Sequence, residues 1–190
     1  MERTNMSDEQ IVELYWQRSE SAIGKTADKY GGYCYRIAHN ILNSREDAEE
    51  SVNDTWLDAW NSMPPHKPSI LSTFLGKITR RISIDRWRKK HAEKRGGGQL
   101  DLVLDELEDC VAGGEDVEVA LESQEVVRII FEFLNTLSVT ERRIFLRRYW
   151  YLEAIAVIAC DFAFSETKTA TILYRLRKSL REKLECEGYL

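Results

Sequence analysis

All three prolines of this 190-residue chain fall within five positions, Pro64, Pro65 and Pro68, and none follows them. Proline removes a backbone donor and blocks helix continuation, so the rest of the chain is free to be helical over long stretches. Period-two alternation of β-branched residues is scarce, while apolar residues recur at three- to four-residue steps. The reading is an all-α protein. Its length suits one or two small domains, and at 43% hydrophobic it can bury real cores.

Stop and start signals divide the chain. Ser7 and Gln10 form a capping box ahead of Ile11, Leu14 and Tyr15. After a break near Ser19–Ser21, a second helix is expected from Ala22 to Leu42, weakened by Gly31 and Gly32. Ser44 caps a third, Glu46 to Met63, with acids gathered in its first turns where the helix dipole favours them. Val52, Trp56, Ala59 or Trp60, and Met63 form its apolar stripe, which makes the tryptophans packing residues. The proline loop stops it. A fourth helix, Phe74–Arg95, is expected to turn Phe74, Ile78, Ile82 and Ile84 inward. Gly96-Gly97-Gly98 ends it and opens an acidic stretch, expected to be extended or partly disordered. Helix resumes near Asp116, with Val119, Val126 or Val127, Ile130, Leu134 and Leu137 on its core side. Ser138 and Glu141 make a second capping box, before Ile144, Phe145 and Tyr149. A short helix with Ile155, Ile158 and Ala159 turns at Asp161–Phe164. Ser165 then caps a last helix with the stripe Ile172, Leu173, Leu176, Leu180 and Leu184.

The charge is partitioned. Residues 77–95 carry nine bases against two acids, on a chain with net charge −5. Residues 1–63 carry six bases and twelve acids, residues 96–125 ten acids and no base, and residues 140–190 ten bases and seven acids. Two basic regions flank an acidic connector. A basic helix bearing Trp87 suits a phosphate backbone and an unstacked base, the plainer alternative being a solvated face. The capped, basic last helix behind a short helix and tight turn reads as a helix-turn-helix. Its second helix would present Glu166, Thr167, Lys168, Ala170, Thr171 and Arg175 to a major groove; an ordinary helical hairpin is the alternative.

Other chemistry finds little purchase. Cys34, Cys110, Cys160 and Cys186 have no metal-ligand spacing among themselves or with His39, His66 and His91, so buried or incidental thiols, no metal and no cofactor are expected. No carboxylate pair, nucleophile constellation or phosphate-binding glycine loop stands out. The polar, acidic N-terminus lacks signal-peptide character, and no run has membrane-spanning length, which points to the cytoplasm without membrane insertion.

Three stretches in order resemble the extracytoplasmic-function (ECF) sigma factors of bacterial RNA polymerase. Asp47-Ala48-Glu49-Glu50-Ser51-Val52-Asn53-Asp54-Thr55-Trp56 is similar to the family's acidic segment. The resemblance implies docking on core RNA polymerase through Asp47, Glu49, Glu50, Asn53 and Asp54. Phe74 to Arg88 resembles the helix that reads and opens the −10 element, implying DNA contacts from Lys77, Arg80, Arg81, Asp85, Arg86, Trp87 and Arg88. Leu137–Leu184 resembles the domain that reads the −35 element, implying Ser165, Glu166, Thr167, Lys168, Thr171, Tyr174 and Arg175 on the reading helix. The implied architecture is a region 2-like helical bundle over 1–95, an acidic glycine-containing flexible linker over 96–115 and a region 4-like helix-turn-helix domain over 116–190. The family places such a linker in a polymerase channel. Partners would be core polymerase, duplex and melted promoter DNA, and an anti-sigma protein. Arg81 stands where the family has asparagine, and Ala163 where the turn has glycine. If position 163 needs positive φ, alanine there costs on the order of 1 kcal/mol.

A promoter-specificity subunit, not an enzyme, is therefore expected. The alternatives are a stand-alone helix-turn-helix regulator and a degenerate sigma-like protein that sequesters a partner. The acidic N-terminal region favours the first, because a lone duplex binder has no use for an acidic docking face.

Overall fold

The computed structural model describes residues 6–91, 102–103, 106–107 and 124–188, and all regular structure among them is helical. The chain divides into two compact units, Met1–Arg95 and Gly96–Leu190.

The first unit holds α1 (Asp8–Trp16), α2 (Ser21–Leu42), α3 (Arg45–Ser62) and α4 (Leu71–His91). The Ser7 capping box starts α1, and Ser44 Oγ accepts the Asp47 amide to start α3. α2, α3 and α4 pack on one another, with α1 against α2. Ile11 and Tyr15 from α1, Cys34 and Ala38 from α2, Val52 and Trp56 from α3, and Leu71, Leu75 and Ile78 from α4 form one core. Trp56 is a packing residue, as its spacing implies. α4 begins three residues before Phe74, because Leu71 and Leu75 extend the apolar row by a turn; residues 92–95 lie outside the described residues. α3 meets α4 along small polar residues. Thr55 Oγ1 donates to Ser51 O (2.8 Å) and lies 3.2 Å from Thr79 Oγ1. Ser51, one turn before Thr55, and Ser83, one turn after Thr79, are buried with hydroxyls that have no hydrogen-bond partner.

The second unit holds α5 (Gln124–Thr136), α6 (Val139–Tyr149), α7 (Ile155–Asp161) and α8 (Glu166–Cys186). Ser138 and Glu141 form the expected capping box, and Ser165 Oγ accepts the Lys168 amide. α8 packs on α5, α6 and α7 through Leu173, Leu176, Leu180 and Leu184. On α5 the fully buried residue is Ile129, with Val126 and Phe133, whereas Ile130 is only half-buried. Val119 lies outside the described residues. Phe133, Phe145 and Tyr149 form an aromatic row with ring centroids 5.7 and 4.6 Å apart.

The turn after α7 is a Schellman motif: the Phe164 amide donates to Ala159 O (2.9 Å) and the Ala163 amide to Cys160 O (3.1 Å). Ala163 has φ 52°, the left-handed backbone that the glycine of related turns adopts without penalty.

Where it is described, the acidic stretch is not extended. Its four described residues, Leu102-Val103 and Glu106-Leu107, are helical, and Val103 is buried. Glu106 takes a bidentate fork from Arg148, with Nη2 to Oε1 at 2.6 Å and Nε to Oε2 at 3.2 Å. It also accepts from Tyr149 Oη (2.9 Å) and Arg177 Nη1 (3.3 Å). An acid drawn to two arginines on the face of a folded unit overrides the local preference of an acidic, glycine-flanked sequence for solvent.

Candidate nucleic-acid and protein interface

α3 places the predicted docking residues on an outward-facing side, because Ala48, Val52, Thr55, Trp56 and Ala59 turn the other side into the core. Glu49, Glu50 and Asn53 are exposed, and Asp47 and Asp54 half-buried. Glu49 pairs with Arg45 one turn back (2.8 Å). Leu57 is 60% exposed on the same helix, one turn beyond Asn53 and Asp54. Sequence reasoning missed it, although its position off the Val52–Trp56–Ala59 stripe was a usable signal.

α4 carries two sets of bases. One turns toward α3. Arg86 Nη2 donates to Asp54 Oδ2 (2.9 Å), its Nη1 pairs with Glu50, and Asp47 Oδ1 lies 4.0 Å away. Lys90 Nζ reaches both Asp47 oxygens (2.7 and 2.6 Å), and Arg81 Nη2 reaches Asp58 (2.7 Å). Hydrogen bonds from Lys90 and the Ser44 hydroxyl hold the Asp47 carboxyl below the usual carboxylate range. The other set, Lys77, Arg88 and Lys89, is exposed, with Arg80 and Trp87 half-buried and Asp85 exposed. Candidate docking acids and candidate DNA-binding bases thus meet across one helix pair. Sequence separations of 23 to 43 residues hid this contact.

On α8, Glu166, Thr167, Lys168, Thr171, Tyr174 and Arg175 are all exposed behind the Ser165 cap, and Ala170 is half-buried. Tyr174 is a large aromatic left in solvent. Three of the polar groups have internal partners. Thr171 Oγ1 donates to Thr167 O (2.8 Å), Lys168 Nζ sits 3.5 Å from the centre of the Phe164 ring, and Arg175 Nη2 pairs with Glu141 (3.2 Å). Glu106, Arg148 and Arg177, none of them a predicted site residue, form a polar cluster of this unit, with Arg148 buried and the other two partly buried.

Of the cysteines, Cys34 is buried and Cys160 and Cys186 are exposed. Burial pushes the Cys34 thiol up to about 11, against a hydrogen bond from Thr79. Cys110 lies outside the described residues. No His/Cys/Asp/Glu group of metal-binding geometry occurs among the described residues, nor a helix long and apolar enough to cross a membrane.

The first unit thus packs an acid-faced helix on a basic one, and the second carries a short helix, a tight turn and a capped, exposed helix. The family model described as Sigma-70 region 2 matches residues 27–93, and that described as ECF sigma factor matches residues 66–156. The chain is also similar to the ECF RNA polymerase sigma factor SigX of Bacillus subtilis (strain 168), 24% identical over 160 residues, covering 83% of this chain and 81% of that protein. Both models and this relative support an ECF-type sigma factor, which directs promoter-specific initiation of transcription.

Proposed function

We propose that the two units divide initiation between them. The unit within 1–95 docks on core RNA polymerase through the outward face of α3 and reads and melts the −10 element with α4. The domain over 116–190 reads the −35 element with α8, and 96–115 connects the two. The observation that carries this reading is the pair of adjoining faces in the first unit. Glu49, Glu50 and Asp54 present negative charge beside the neutral Asn53, with Leu57 exposed one turn further on. Lys77 and Arg88 present positive charge beside the half-buried Arg80 and Trp87. An exposed apolar side chain next to a charged face suits a protein partner. A cationic helix with an aromatic suits melted DNA, whose phosphates attract the bases while an unstacked base lies on the ring. Asp85 sits among those bases as an acceptor for a base amino group.

On α8, Glu166, Thr167, Lys168, Thr171, Tyr174 and Arg175 reach the upstream element, with Ser165 fixing the helix start. Each contact is weak alone; holding both units on polymerase supplies the effective concentration that makes them sufficient. The chain works by binding, without catalysis or cofactor, in the cytoplasm. An anti-sigma protein would act by covering the same two faces. The double reversal Glu50→Lys/Asp54→Lys tests the docking half. Affinity for core polymerase should fall at least about ten-fold, the equivalent of ~1.4 kcal/mol, with helicity unchanged. Wild-type affinity overturns it.

A further inference from the structure

We infer that Arg86 is a positioning residue for the polymerase-docking face of α3, and not a contact to promoter DNA. The inference rests on the docking reading of α3. Asp47, Glu50 and Asp54 lie three and four residues apart on one side of that helix, where like charges repel. The Arg86 guanidinium faces all three, bonded to Asp54 (2.9 Å) and Glu50 and 4.0 Å from Asp47. A planar fork with several donors can hold carboxylates in fixed directions, which a lysine point charge cannot. The Arg86 side chain is 20% exposed, against 63% for Glu50 and 46% for Asp54. Glu50 and Asp54 therefore stay open to a partner while the arginine fixes their rotamers; Asp47, at 14%, is covered. Three carboxylates around one guanidinium also leave the spot locally negative, so a DNA phosphate meets repulsion there. Lys90 holds Asp47 from the far end, and Arg81 holds Asp58. α4 is thus divided lengthwise: Arg81, Arg86 and Lys90 face α3, and Lys77 and Arg88 are exposed to nucleic acid.

The test separates affinity for polymerase from competence once bound. Full-length wild type, Arg86→Gln, Arg86→Lys and Arg88→Ala are each titrated into core polymerase. Binding is read by fluorescence anisotropy, and open complexes by permanganate reactivity on a promoter selected with the wild type. Arg86→Gln should bind core about ten-fold more weakly yet reach the wild-type plateau of open complexes at saturating protein. Arg86→Lys should show a weakening of about three-fold, also with a full plateau. Arg88→Ala should lower the plateau. Wild-type affinity in Arg86→Gln, or a defect that persists at saturation, overturns the assignment. If thermal melting shows Arg86→Gln to be unfolded, Arg86→Lys decides alone: weakened affinity with a full plateau supports the assignment, and any other combination overturns it. Failure of the docking reading looks different, since Glu50→Lys/Asp54→Lys would then bind core as the wild type does.

Discussion

Replacing Glu106 by alanine should destabilise the second unit more than any other single change in the acidic connector. The Arg148 side chain is 2% exposed, and Glu106 supplies both oxygens to its fork. Arg148 also donates Nη1 to Glu153 O (2.9 Å), so its head is fixed from two sides. Removing Glu106 leaves that buried charge facing Arg177, and deprives the Tyr149 hydroxyl of an acceptor. Breaking a buried pair from one side costs about 3–5 kcal/mol. Glu106 and Arg177 keep 20% and 14% of their side chains exposed. Water therefore relieves part of the cost and places it near ~3 kcal/mol. For a domain of this size each kcal/mol moves the melting temperature by roughly 4–8 °C, so a loss of about 12–24 °C is expected. Glu106→Gln, which keeps an oxygen acceptor without the charge, should lose about half as much. Hydrogen exchange followed by mass spectrometry reads the effect by region: protection should fall across α6 and α8 and stay unchanged in α2 and α3. Glu106→Ala within about 0.5 kcal/mol of wild type would refute the reasoning and show that the carboxylate adds nothing to the unit.

Ala163→Gly should stabilise the second unit by about 0.5–1 kcal/mol, because glycine adopts φ 52° without the penalty alanine carries; an unchanged denaturation midpoint contradicts this. Gly31→Ala and Gly32→Ala should each add about 0.5–1 kcal/mol to the first unit in urea unfolding, since an added Cβ at either position meets nothing within 4 Å inside α2. Burial raises the pKa of Asp8, but hydrogen bonds from Lys29 Nζ and Tyr30 Oη (both 2.6 Å) outweigh it and hold the carboxyl below its ordinary range. A depressed carboxylate contributes stability that is complete above the unfolded-state pKa and lost as pH falls through the folded one. Acidification from about pH 5 to about pH 2 should therefore destabilise the wild type more steeply than Asp8→Asn.

What the sequence made legible was local. Ser7, Ser44, Ser138 and Ser165 each cap the helix that their spacing announced, because capping is settled within four residues. Ala163 was legible through the resemblance, whose turn has glycine there, and the backbone does adopt positive φ at this position. The choice of Ile129 over Ile130 was not, since a 3.6-residue period between Val126 and Phe133 admits either until α8 is in place. The start of α4 was set one turn late because Phe74 looked like the first of its stripe, whereas Leu71 and Leu75 are the buried pair. The ion pairs were beyond reach altogether. Charge counting found an acidic helix and a basic one but not that Arg86 spans 32 residues to Asp54, or Lys90 43 to Asp47. Glu106 was hidden for a related reason, since only the folded unit supplies the arginines that pull a solvent-seeking acid inward. Candidate site residues were thus found by type and periodicity, and their mutual pairing only by packing.

The central claim is that this chain confers promoter choice on a polymerase that lacks it. Purified bacterial core RNA polymerase, incubated with a library of randomised upstream sequences, should give start-site-specific transcripts only when the chain is added. Those transcripts should share two sequence blocks at a fixed spacing. Transcripts that are equally scattered with and without the chain would contradict the account.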